Sequence, residues 1–196
     1  MSDVAREIAQ AAARWVVEEG MEYGPAKKRA VRDLGLSPRT ALPDNHLLED
    51  SVREYLQIFA ADTQPQELLA LRRLAQTWMQ RLAAFRPHLT GAVWRGTATR
   101  LSDIHLQLFC DDSKSAEIEL INQGLDFDVG STHHPKAGEV DVLSLSVACP
   151  ELNEHVGLHL TVLDHDDLRG ALKPDAQGLA PRGDLNALNR LLETHP

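Results

Sequence analysis

Cysteine is nearly absent: the 196 residues contain two, Cys110 and Cys149, each inside an apolar, strand-like run. A disulfide framework and a cysteine-based zinc motif are therefore excluded, and two free buried thiols are expected. No stretch of 18 apolar residues occurs, and the first residues lack the basic segment and apolar core of a secretory signal. A membrane span is thus not expected, and the cytoplasm is the expected location. The nucleophile elbow G-x-S-x-G, the phosphate loop, the H-E-x-x-H zinc motif and the dinucleotide fingerprint G-x-G-x-x-G are missing as well. Hydrolases, nucleotide triphosphatases, zinc proteases and dehydrogenases that depend on those signatures are accordingly set aside.

Positive charge is scarce in the second half. Residues 1–90 carry 12 Lys/Arg and 12 Asp/Glu, whereas residues 91–196 carry 8 and 17, so the whole net charge of −9 falls there. A broad nucleic-acid surface is not expected on such a chain, because phosphate binding needs clustered cations. The one compact basic group, Lys27, Lys28, Arg29 and Arg32, lies in a helical context and reads as a solvated face.

Hydrophobic spacing divides the chain into a helical region, residues 1–88, and an α/β region, residues 89–196. In the first, Ile8, Ala11, Ala12, Trp15 and Val16 mark one helix, and a second runs from Pro25 to a stop at Gly35. A third is expected from about residue 46 to Ala60, and a fourth from residue 65 to Phe85, ended by Pro87. The aromatic residues Trp15, Tyr23, Tyr55, Phe59 and Trp78 are read as packing groups in a core or an interface. In the second region a short apolar approach, Gly91–Trp94, leads to a strand at Ile104–Phe109 and a helix after Ser113. Further strands are expected at Leu125–Val129, Asp141–Ala148 and Val156–Leu163, with Gly130–Gly138 as an exposed turn and a closing helix capped by Asp184. Alternation and β-branched content favour an antiparallel or mixed sheet.

The organising stretch is WRGTATRLSDIHLQLFCDD, Trp94–Asp112. Asp103, His105 and Gln107 alternate with Ile104, Leu106 and Leu108, so a strand here presents one polar row and buries the other. Arg95 and Arg100 flank the small-residue turn Gly96-Thr97-Ala98 and could meet an anion there, or pair with Asp103 or Asp111.

Gly96-Thr97 followed by Ser102-Asp103-Ile104-His105-Leu106 resembles the motif of the polymerase-beta type nucleotidyltransferase superfamily, a Gly-Ser pair followed by Ser-Asp-x-Asp-hydrophobic. The resemblance covers mainly residues 91–163. It implies an α+β fold: a nucleotidyltransferase-like mixed sheet with the N-terminal helical region packed against it. It makes Asp103 the catalytic carboxylate and Gly96, Thr97, Arg100 and Ser102 the nucleotide-binding group. The second carboxylate of the motif is His105 here, and the third, from a later strand, falls on His159, with Asp141 as an acidic alternative. Asp103, His105 and His159 are then the metal-binding set, and a divalent metal (Mg²⁺ or Zn²⁺) and an NTP are the implied cofactors. Mg²⁺ prefers hard oxygen donors, so histidine in two of three positions argues against a two-magnesium transfer centre. The expected function is a divergent nucleotidyltransferase-like protein that binds nucleotide with weak or lost transferase activity. The alternative is a noncatalytic scaffold whose helical region binds a protein partner or a second copy of the chain.

Overall fold

The computed structural model describes residues 3–175 and 178–194, which form two compact units, 3–67 with 99–101 and 68–98 with 102–175 and 178–194. The first unit contains α1 (Asp3–Glu19), α2 (Tyr23–Asp33) and α3 (Asn45–Phe59). Ile8, Ala12, Ala26, Ala30, Leu48, Val52 and Leu56 form its core, and the alanines let α1 and α2 approach closely. Asp44 fixes the start of α3 by accepting from the Leu47 amide at 2.8 Å. The basic group on α2 is not a solvated face throughout. Lys27 is buried, with Nζ donating to the Pro43 carbonyl and Asn45 Oδ1, and Arg29 lies 4.0 Å over the Trp15 ring.

The fourth helix, α4 (Gln64–Arg81), starts in the first unit and continues into the second. Its Ala70, Leu71, Ala75, Trp78 and Met79 are buried in the core of the sheet unit, which is why the division falls inside α4 and not after it. The rest of the second unit, in chain order, is β1 (His88–Thr90), α5 (Gly91–Arg95), β2 (Ile104–Cys110), α6 (Ser115–Asn122), β3 (Asp128–His134), β4 (Gly138–Cys149), β5 (Glu154–Asp164), β6 (Arg182–Gly183) and α7 (Leu185–Thr194). The strands lie in the order β3-β4-β5-β2-β1-β6; β2 and β5 are parallel and the other pairs antiparallel. The fold is therefore α+β with a mixed sheet. Asp184 caps α7 by accepting from the Ala187 amide, and Cys110 and Cys149 are both free. No helix among the described residues is long and apolar enough to cross a membrane.

Two expectations need correction. Gly91–Trp94, expected as a short apolar approach to the motif, belongs to the one-turn helix Gly91–Arg95, and a strand precedes it at His88–Thr90. Arg72 holds that helix by donating from Nε and Nη2 to the carbonyls of Val93 and Trp94, groups that a helix end leaves open. The segment Gly130–Gly138 is mostly ladder: β3 pairs with β4 continuously from Asp128↔Ser144 to His134↔Gly138. As an edge strand with both faces largely exposed, β3 has no buried row to impose apolar alternation.

Alternation sorts the sheet residues. Ile104, Leu106, Leu108, Leu143, Leu145, Leu158 and Leu160 face the core shared with α4, α6 and α7. Each fully buried leucine there contributes about 1.5–3 kcal/mol. The opposite face carries a small cluster of Phe109, Leu163 and Ala171 at one end and remains polar at the other. His88 closes the apolar end: it is 5% exposed, its ring meets Phe109 edge-on at 5.1 Å, and its Nδ1 lies 2.8 Å from the Arg86 carbonyl.

Burial pushes the His88 pKa below 6.5, against the opposing pull of the Arg86 carbonyl. The unfolded chain therefore binds this proton more readily than the folded one, so stability falls as pH drops below 6.5 towards the folded-state value. His88→Asn, which removes the titration and keeps a side-chain donor, is expected to flatten that part of the profile in urea unfolding measured between neutral and mildly acid pH. An unchanged slope would show that other groups carry it.

Candidate functional site

The polar end of the open sheet face is built by strand register. His105 on β2 lies opposite His159 on β5, and His159 lies opposite Ser144 on β4. On the other side His105 pairs with Thr90 on β1, and Thr90 pairs with Arg182 on β6. Residues opposite one another across a ladder share a face, so Ser144, His159, His105, Thr90 and Arg182 form one row across five strands.

Asp103 immediately precedes β2 and completes a hydrogen-bonded chain. Its Oδ2 is 2.9 Å from His159 Nε2, its Oδ1 accepts from the Gly157 amide at 3.2 Å, and His159 Nδ1 is 2.8 Å from Ser144 Oγ. The His105 and His159 rings are stacked, 5.0 Å apart with planes inclined by 23°. The hydrogen bond from His159 is the largest influence holding the Asp103 carboxyl below its ordinary 3.8; the two imidazoles and the Gly157 amide add to it, and partial burial opposes it. An ionised Asp103 can only accept, so His159 carries a proton on Nε2. In the neutral ring Nδ1 is then an acceptor for the Ser144 hydroxyl. The Asp103 side chain is 48% exposed and that of His159 27%, so the pair is open to a ligand.

The register ambiguity of the third position resolves towards His159. Asp141 lies opposite Ser131 and makes a 3.8 Å ion pair with Lys114; strand alternation places it on the face opposite to Ser144. Among the sequence-derived candidates, Asp103, His105 and His159 are thus brought together. Gly96 and Thr97 have another role: Gly96 adopts φ +90° at the end of α5, and both amides donate to the Ala92 carbonyl at 2.9 and 3.0 Å. Neither amide is offered to an anion, and the Thr97 hydroxyl is buried without a hydrogen-bond partner. Arg100 belongs to the first unit, where its amide donates to Glu67 at 2.9 Å; Ser102 is the last residue before Asp103.

Three contributors escaped the sequence reading. Ser144 sits in a plain Leu-Ser-Leu-Ser alternation, which predicts a polar face without saying what it faces. Gly157 matters through the atom it lacks, since a Cβ there would lie 2.5 Å from Asp103 Oδ1. Arg182 donates from Nη1 to Gln107 Oε1 at 2.6 Å, from a strand two residues long.

The donor set does not fit a magnesium centre. It offers one carboxylate, which already accepts from an imidazole and an amide, and both nitrogens of His159 are engaged. Among the described residues no group of three or more His, Cys, Asp or Glu side chains is arranged to hold a metal. The arrangement can instead orient two stacked imidazoles, fix a proton on one of them and present a hydroxyl beside it. No family model matches the chain, and no curated protein matches it.

Proposed function

We propose that this chain is a divergent nucleotidyltransferase-like protein that binds nucleotide phosphate on the polar face of its sheet, with transferase activity weak or lost. The observation that carries this reading is the engagement of Asp103 with His159 and Gly157, where the resembled motif would use a carboxylate for metal. The His105 imidazole, stacked on His159, suits a phosphate oxygen, and Asp103 acts through His159, whose Nε2–H it accepts and whose ring it holds against His105. The Gly96-Thr97 bend serves the fold, so the phosphate contact shifts from backbone amides to the His105 imidazole. A scaffold role for the helical unit rests only on exposed apolar side chains such as Ile58 and Phe59, 64% and 68% exposed, and single exposed apolar residues are ordinary on a protein surface.

Calorimetric titration with each of the four ribonucleoside triphosphates, alone and with Mg²⁺, Mn²⁺ or Zn²⁺, tests the reading. Saturable binding with little gain from metal is expected, and Asp103→Ala should weaken it roughly tenfold, about 1.4 kcal/mol. Labelled-nucleotide transfer should be slow or undetectable. Silence across the whole set would remove the nucleotide site.

A further inference from the structure

A concave site lies in the sheet unit, lined by residues other than the histidine pair. It is a cavity of about 840 Å³ where the chain after α4 enters β1, closed by the segment around Ala171 and the start of α7. Met79, Pro87, Ala171 and Leu185 give it apolar walls, and Arg86 and Lys173 line it as cations. The volume lies within the range that encloses small-molecule ligands, which pair an apolar lining with a few placed polar groups.

Three observations indicate what such a ligand would carry. Arg86 and Lys173 have no ion-pair partner among the described residues, in a chain whose net charge is −9. The one acidic lining residue, Asp184, is committed to the α7 amide of Ala187 at 2.9 Å. Arg86 also stands in the left-handed region, φ +49°, with the buried ring of Pro87 after it and His88 bonded to its carbonyl. That conformation ends the short 3-10 turn Ala83–Phe85, with the Arg86 amide donating to the Ala83 carbonyl at 3.1 Å, and it fixes the backbone from which the Arg86 side chain springs. A guanidinium lining an apolar cavity can form a two-pronged bond to a carboxylate or phosphate, with Lys173 adding a point charge.

We propose that this cavity binds an amphipathic anion, an unbranched or aromatic apolar body ending in a carboxylate or phosphate, with Arg86 and Lys173 on the head group. The inference does not rest on the nucleotide reading, because its residues are distinct from Asp103, His105 and His159.

The test is calorimetric titration of the full chain with decanoate, decyl phosphate and, as the neutral control, decanol. Saturable binding of at least one anion is expected, with Arg86→Gln/Lys173→Gln weakening it about tenfold or more and leaving the weaker decanol signal unchanged. Thermal unfolding of the double variant establishes that it is folded, and Asp103→Ala should bind the anion as the unaltered chain does. The better of the two anions identifies the head group. Absence of saturable anion binding, or equal affinity in the double variant, would overturn the proposal.

Discussion

Gly183→Ala should destabilise the sheet unit by about 3 kcal/mol, the upper end of the usual cost of forcing an extra methyl into a packed site. Gly183 is buried on β6 opposite Leu89, and a Cβ built on it would lie inside the van der Waals envelope of three carbons of the Trp94 ring. The indole cannot retreat freely. Its Nε1 donates to the Ala180 carbonyl at 2.8 Å, and the Trp94 carbonyl is held by Arg72. Either the ring leaves that bond, or β6 separates from β1 and gives up the Leu89↔Gly183 and Thr90↔Arg182 pairs. Both routes disturb Arg182 and with it the bond to Gln107. Urea unfolding measures the loss, and the melting temperature should fall by roughly 6–12 °C for a chain of this size. In a Trp94→Ala background the added methyl has room, so a double-mutant cycle should return most of the cost as coupling. A Gly183→Ala variant as stable as the parent would mean that the indole has an alternative position of equal energy.

That contact was beyond the reach of the sequence, and the reason applies to much of the site. Helical spacing located α1, α3 and α4, and alternation located the strand containing Leu106, because each has one buried side that repeats at a fixed period. The same logic fails for β3, which is exposed on both faces, and for α5, whose five residues are too few to express a period. The candidate site was legible in part. Asp103, His105 and Gln107 could be placed on one face from local pattern alone. Which residues face them depends on the parallel register of β2 with β5 and the antiparallel register of β5 with β4, set by the sheet as a whole. His159 was reached through family resemblance; Ser144 and Gly157 had no comparable signal. The Gly96-Thr97 bend shows the converse: a motif-like pair was visible, but whether its amides were free depended on the helix that ends there.

Gly157→Ala should have the opposite profile to Gly183→Ala, with little loss of stability and a large loss at the site. Gly157 is not among the glycines with positive φ, so its backbone would accept alanine, and what the position excludes is volume beside Asp103. The added Cβ would meet Oδ1 at 2.5 Å and Cγ at 2.6 Å, and the carboxylate, the end of a half-exposed side chain, can swing away. Doing so breaks its bonds to the Gly157 amide and to His159 Nε2. The Asp103 carboxyl should then rise towards 3.8, since the His159 bond is the largest influence depressing it. A depressed carboxyl contributes stability that is present above the unfolded-state pKa and lost as pH falls through the folded-state value, so this acid-side contribution should shrink in the variant. Nitrogen-detected NMR of the imidazoles should show His159 released from its fixed Nε2–H form. If Asp103 supports nucleotide binding only by orienting His159, then Gly157→Ala, Asp103→Ala and the double variant should all weaken NTP binding by the same factor, because each removes the same bond. Retained affinity in Gly157→Ala beside a loss in Asp103→Ala would show instead that the carboxylate meets the ligand itself, and the role assigned to His159 would have to be withdrawn.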